Sequence, residues 1–158
     1  MKKGVIVFFI IFLVGLDQLS KFFISSHLSL GESLNIFPFL NFTLIHNTGI
    51  AFSIFDEGDQ VSRWLLVACV SGILAYLGFL LYKDMPKHQL ELISLLLIIS
   101  GGLGNLIDRV LLGYVVDFVH VFYQYYSFYV FNMADSYITV GIIFYLSHFF
   151  FNERNKET

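Results

Sequence analysis

The stretch FNMADSYITVGIIFYLSHFF, Phe131 to Phe150, decides how the chain must be read. It is apolar enough to lie in lipid, where a span needs about 20 mostly apolar residues. Yet Asp135 sits close to its start, with Asn132 and Ser136 beside it. A charge at the bilayer centre costs about 2.5–3.5 kcal/mol on insertion scales. A membrane helix that keeps a carboxylate therefore needs a reason to do so.

The rest of the chain agrees with lipid as the solvent. Of 158 residues, 57% are hydrophobic and only 13% charged, where a soluble domain has about 25% charged. Mean hydropathy is +0.75. A net charge of −3 points to no nucleic-acid partner, and the single cysteine, Cys69, permits no disulfide framework. The opening MKKGVIVFFIIFLVGL imitates a secretory signal, with a basic start and an apolar core. Its apolar run continues through DQLSKFFIS with no A-x-A-like cleavage site, so a retained membrane helix is expected.

Four windows can span a bilayer, at about 4–25, 64–82, 92–112 and 131–151. The expected architecture is an all-α membrane protein. It is a single integral domain of four transmembrane helices, with outer segments at about 26–63 and 113–130. Orientation follows from the basic residues. Lys2 and Lys3 precede the first span, Lys83 and Lys87 lie between the second and third, and Arg154 and Lys156 follow the fourth. The other side carries Arg63 and no lysine, so both termini are expected in the cytoplasm. Tyr114, Tyr123, Tyr125, Tyr126, Tyr129 and Tyr137 fall at the opposite, outer face, where a ring with a hydroxyl suits the interface.

A small β element is expected between the first two helices, resting on the outer surface. In NIFPFLNFTLIHN the alternation would put Phe39, Asn41, Thr43, Ile45 and Asn47 on one strand face. HNTG reads as a turn around Gly49. The segment 114–130, rich in Val, Phe and Tyr, is a second candidate for extended structure.

The intramembrane polar residues gather at one depth. Asp17 and Lys21 lie i, i+4 in the outer half of the first span. GGLGNLIDRV brings Asn105, Asp108 and Arg109 to the outer third of the third span, Asp117 follows just outside it, and Asp135 enters the fourth from the same side. Ion pairs that glue helices account for Asp17, Lys21 and Asp108 as well as a site does. Asp117 and Asp135 have no cationic partners in the sequence pattern. Two acids in one site have a chemical use: one pKa rises and the pair holds one proton. The ionised member can then activate water while the protonated one polarises a carbonyl, chemistry that requires no metal or cofactor. Spacing alone does not bring the two together.

Other chemistries lack their marks. The histidines form no H-E-x-x-H site, there is no G-x-S-x-G, and Gly101, Gly102 and Gly104 suit close helix packing better than a phosphate loop. A proton-conducting bundle would need acids across the membrane, and here they stop at one side. A scaffold with acids paired for packing is the other alternative.

In order along the chain, DQLSK, HNTGIAFS, GGLGNLIDR, VVDF and FNMADS resemble the motifs of the bacterial lipoprotein signal peptidases, or signal peptidase II. That resemblance implies an aspartic endopeptidase of the bacterial cytoplasmic (inner) membrane. Its substrates would be diacylglyceryl-modified prolipoproteins, cut just before the lipidated cysteine at the outer leaflet. It implies Asp117 and Asp135 as the catalytic pair, and Asp17, Lys21, Asn47, Gly49, Asn105, Asp108, Arg109, Asn132 and Ala134 around the site. It further implies no cofactor, contact with membrane lipid and sensitivity to globomycin-type cyclic peptides; a monomer is expected. Ile50 departs from the pattern, standing where a small residue is common. The acids Asp56, Glu57 and Asp59 read as solvated loop charge.

Overall fold

The computed structural model describes residues 2–49, 60–124 and 126–154. Ile50, Tyr125, Lys156 and the acids Asp56, Glu57 and Asp59 lie outside them. Among the described residues there are four helices: α1 (Lys3–His27), α2 (Gln60–Lys83), α3 (Gln89–Leu111) and α4 (Met133–Arg154). Each contains a stretch long and apolar enough to cross a membrane. Side chains such as Phe8, Phe12, Phe22, Ile73 and Phe79 are more than half exposed, as expected of helices whose outer faces meet acyl chains. α3 packs on the other three helices and buries 44% of its apolar window, against 11–17% for the others.

Glycine sets the α3–α4 spacing. A Cβ at Gly101 would collide with the Ala134 carbonyl, and one at Gly141 would come within 2.8 Å of the Ser94 carbonyl. Two backbones approach this closely only where side chains are missing, which is how membrane helices pack without a hydrophobic driving force. The half of the bundle away from the acids has an apolar core of Ile6, Leu81, Leu92, Leu96 and Ile99.

Strands β1 (Ser33–Phe37) and β2 (Leu40–Asn47) precede α2, while β3 (Val115–Tyr123) and β4 (Tyr126–Phe131) connect α3 to α4. They form one antiparallel sheet in the order β1-β2-β3-β4. The β element expected between the first two helices is therefore half of a larger sheet, completed from segment 113–130. α4 accordingly starts at Met133, because Phe131 still belongs to β4. Ile24 at the end of α1 packs against Leu44, Val116 and Phe118, fastening the sheet to the bundle.

The expected single face of β2 is broken by a bulge. Asn41 pairs with His120 but Ile45 pairs with Asp117. His120 and Asp117 are three residues apart on β3, hence on opposite faces, because one extra residue in a strand flips every side chain beyond it. The flip carries Ile45 and Asn47 to the Asp117 side. Thr43 stays with His120, in a hydrogen-bonded line from Ser33 through Thr43 and His120 to Ser127 that crosses all four strands.

Candidate active site

The site forms where α4 begins. Asn132 precedes the helix, and its side-chain oxygen accepts the Asp135 N–H at 2.9 Å. The Asp135 carboxylate returns the bond by accepting the Asn132 N–H at 3.2 Å. This reciprocal pair is a capping box, built from Asn and Asp rather than Ser and Glu. Asp17 on α1 accepts the Ala134 N–H at 2.9 Å, so a third N–H left over by the helix start is satisfied from another helix. The acids suit this position because a helix N-terminus carries partial positive charge.

Asn132 also joins the two acids. Its amide nitrogen donates to Asp117 Oδ1 at 2.7 Å, while its backbone and side-chain oxygen hold Asp135. Asp117 Oδ2 accepts from Asn47 Nδ2 at 2.8 Å. Asn47 is held in turn, because its oxygen accepts the Gly49 N–H at 2.8 Å. Gly49 takes a left-handed backbone, φ 81°, which glycine adopts without strain. Any Cβ there would also lie 3.1 Å from Leu66 and 3.5 Å from the Arg109 guanidinium. Asp135 Oδ1 accepts from Asn105 Nδ2 at 2.7 Å. Asn105 Oδ1 accepts from both Lys21 Nζ and Asn132 Nδ2, each at 3.1 Å. The Lys21 ammonium thus fixes which way the Asn105 amide points, and through it the Asp135 carboxylate.

Beneath lies a buried ionic triad. Lys21 Nζ is 2.8 Å from Asp17 and 2.9 Å from Asp108, with all three side chains at most 3% exposed. Asp108 also accepts the Val116 N–H at 3.1 Å, pinning the start of β3 to α3. The ion pairing read from the sequence as one option is present here, and its bonds to Ala134 and Val116 place the strand and helix that carry Asp117 and Asp135. Gly104 keeps the triad together: a Cβ there would stand 2.5 Å from Asp17 Oδ2.

The structure thus brings Asp17, Lys21, Asn47, Asn105, Asp108, Asp117, Asn132, Ala134 and Asp135 into one hydrogen-bonded network. Gly49 and Arg109 lie at its edge, Arg109 donating to the Asn105 carbonyl at 3.3 Å. Two supporting residues escaped the sequence reading. Gln18 donates to Asp108 Oδ1 at 2.8 Å and to the Gly104 carbonyl at 3.1 Å. Its position beside Asp17 was the only sign of it. Arg63 donates to the Arg109 and Val110 carbonyls at 2.8 and 2.6 Å. It caps the end of α3, where Gly113 (φ 89°) ends the helix. A basic residue alone on the outer side was the available clue.

Asp117 is 2% exposed, and its pKa is raised from 3.8 to about 6. Burial is the largest cause, and the nearby Asp135 charge adds to it. Hydrogen bonds from Asn47 and Asn132, and the Lys21 charge, pull the other way. Asp135 is half-buried and lines a cavity of about 460 Å³ with Phe131, Ser136, Thr139 and Val140. Asp117 lines another of about 450 Å³ with Asn47, Gly49 and Tyr129. Each acid thus lines an opening of its own.

Residues 9–151 match the family model described as Signal peptidase (SPase) II. The lipoprotein signal peptidase of Acinetobacter baumannii is 43% identical over 142 residues, covering 89% of this chain and 80% of that protein. That of Streptococcus pyogenes serotype M6 is 44% identical over 144 residues, covering 90% and 91%. Two solved bacterial membrane enzymes share the fold. One, at 1.9 Å resolution, has a TM-score of 0.81 and 31% identity, covering 93% of both chains. The other, at 2.3 Å, has a TM-score of 0.82 and 32% identity, covering 98% of this chain and 92% of its own. The chain belongs to the signal peptidase II family, the lipoprotein signal peptidases, membrane peptidases that remove signal peptides from prolipoproteins.

Proposed function

We propose that Asp117 and Asp135 are the catalytic pair of this peptidase. One observation carries the reading: a single residue, Asn132, hydrogen-bonds both carboxylates, and Asp117 feels the Asp135 charge. Two acids in one site can divide the roles of proton donor and base. Asp117, the more deeply buried, holds the proton; Asp135, open to a cavity, is the base. Asp135 takes a proton from water as the oxygen attacks the scissile carbonyl carbon. Asp117 donates its proton to the carbonyl oxygen. Collapse of the tetrahedral intermediate breaks the C–N bond: the departing amine takes the proton held by Asp135, and one hydroxyl of the intermediate returns its proton to Asp117 as the new carboxyl forms.

The substrate is a diacylglyceryl-modified precursor cut before its lipidated cysteine. Moving such a chain out of lipid is expensive, at about 0.8 kcal/mol per buried CH₂, so the acids must meet it at the leaflet. The Asp135 cavity lies against α4 with Phe131 and Val140 on its wall, suited to the lipid side. The Asp117 cavity under β2 receives the peptide. Lys2, Lys3, Lys83 and Lys87 lie at the opposite ends of the helices from this site. By the positive-inside rule both termini are cytoplasmic, and the sheet and acids face outward from the inner membrane. The polar network closes within one chain, which supports a monomer. A cyclic peptide of the globomycin type would occupy the same cleft.

A transmembrane proton relay finds no support. The buried Ser94 and Ser100 donate to carbonyls of their own helix, four residues back, and the surrounding core is apolar. The test is purified protein given a lipidated precursor in detergent. Asp117→Asn and Asp135→Asn should each abolish cleavage while the protein stays folded. Full activity in either variant refutes the pair.

A further inference from the structure

The two acids line different openings, and the reaction gives each opening a different part of the substrate. Asp117 protonates the oxygen of the scissile carbonyl, while Asp135 serves the departing amine. The residue before the cut carries that carbonyl, so its side chain belongs in the Asp117 opening. The residue after the cut carries the amine and the lipid. It belongs in the Asp135 cavity, with Phe131, Thr139 and Val140.

Two large side chains bound the Asp117 opening. Ile45 lines it from β2 and Tyr129 from β4, the strands on either side of β3, which carries Asp117. Neighbouring strands lie about 4.8 Å apart, so β2 and β4 are about 9.6 Å apart across β3. A third wall, Asn47 with Gly49, is fixed by the hydrogen bond between them. Ile45 is 37% exposed and Tyr129 94%, whereas Phe131, two residues on along β4, is half-buried. The Tyr129 ring thus lines a cleft while packing on almost nothing within the protein. Peptide and ligand sites are walled by aromatic side chains of this kind, which gain their contacts when the cleft fills.

We propose that Tyr129 is a specificity-determining residue: with Ile45 it walls the Asp117 opening and limits the residue before the cut to a small side chain. The inference rests on the catalytic assignment of Asp117 and Asp135. A small side chain in the opening lets the scissile carbonyl reach Asp117. A large one meets the phenol ring and holds the carbonyl away, and a misplacement of about 1 Å costs about 100-fold in rate. Because the ring packs on so little, shortening it opens the wall without removing support from the fold.

The test uses the full chain in detergent and two series of lipidated precursors. One series places Gly, Ala, Val or Leu before the cut; the other places them after the lipidated cysteine. The readout is the ratio of kcat/KM between precursors, which cancels any uniform effect of a variant on folding or lipid contact. Wild type should favour Ala over Leu before the cut by about 100-fold. Tyr129→Ala should reduce that ratio to about 10-fold or less and leave the second series unchanged. Tyr129→Phe keeps the ring and should keep the ratio. Tyr126→Ala removes an exposed tyrosine of the same strand that does not line the opening, and it should keep the ratio too. The proposal is overturned by an unchanged ratio in Tyr129→Ala, by its loss in Tyr129→Phe or Tyr126→Ala, or by a change confined to the second series. Failure of the catalytic reading shows separately, as cleavage by Asp117→Asn or Asp135→Asn.

Discussion

Changing Asp117 to Asn tests the buried acid through its pH dependence. The folded-state pKa is about 6, against 3.8 for the ordinary carboxyl. A raised acid means that the folded protein binds its proton more tightly than the unfolded chain. Stability therefore falls as pH rises from about 4 to about 6 and is level above that. At about 1.36 kcal/mol per pKa unit the loss approaches 3 kcal/mol. The amide of the Asp117→Asn variant does not titrate, so this fall should vanish from it. Its absolute stability is less diagnostic. Asp117 accepts from two amide nitrogens, of Asn47 and Asn132, and an Asn must point its own NH₂ at one of them. That mismatch costs about 1–3 kcal/mol at every pH. The measurement is a melting series of both proteins in detergent at pH 4, 5, 6 and 7. The variant should start below the wild type at pH 4 and gain on it by about 3 kcal/mol by pH 7. Parallel curves would sink the claim that burial and Asp135 raise this acid.

Lys21→Met should cost about 3–5 kcal/mol, since it strands Asp17 and Asp108 without their cation; a melting temperature close to wild type would show the triad does not hold the bundle together. Asn132→Ala removes a helix cap worth about 1 kcal/mol and unties both acids, so kcat should drop about 100-fold or more while the protein still melts cooperatively. Gly101→Ala drives a methyl into the Ala134 carbonyl and should destabilise by about 1–3 kcal/mol, whereas Gly102→Ala meets only the side chain of Leu74 and should cost less. A reporter fused after Thr158 should read cytoplasmic; an external reading would put the acids on the wrong leaflet.

The bundle was legible because lipid leaves few options. A run of apolar residues that long must become a helix, since hydrocarbon offers backbone groups no other partner. The gathering of Asp17, Lys21, Asn105, Asp108 and Asp135 at one depth was legible for the same reason. What hydropathy could not supply was the sheet. Pairing between residues 40–47 and 115–121 joins segments some 70 positions apart, and no local pattern encodes that. The bulge that carries Asn47 to the Asp117 side was equally hidden, because alternation assumes an unbroken strand. Gln18 was overlooked beside a charged neighbour, although it bonds the same triad.

The arrangement at Asn132 explains why an acid pair can survive at the edge of a bilayer. An isolated buried carboxylate would normally be removed by selection for stability, yet each contact that holds these acids also serves the fold. Asp135 is half of the capping box that starts α4, and Asp17 completes that start from α1. Asp117 closes the link between β3 and the turn at Asn47. The helix end supplies partial positive charge, the Arg109 guanidinium lies within electrostatic reach of both acids, and the Lys21 ammonium reaches Asp135 through the Asn105 amide. A lysine in direct contact would neutralise the base. An amide between them orients the carboxylate and, in the proposed mechanism, leaves its charge free to draw a proton from water. Asn105→Asp places a new negative charge next to Lys21 and beside Asp135, so it should impair cleavage more than Asn105→Gln, which keeps an amide. The reverse ranking in a precursor-cleavage assay would show that the amide is not the element that matters.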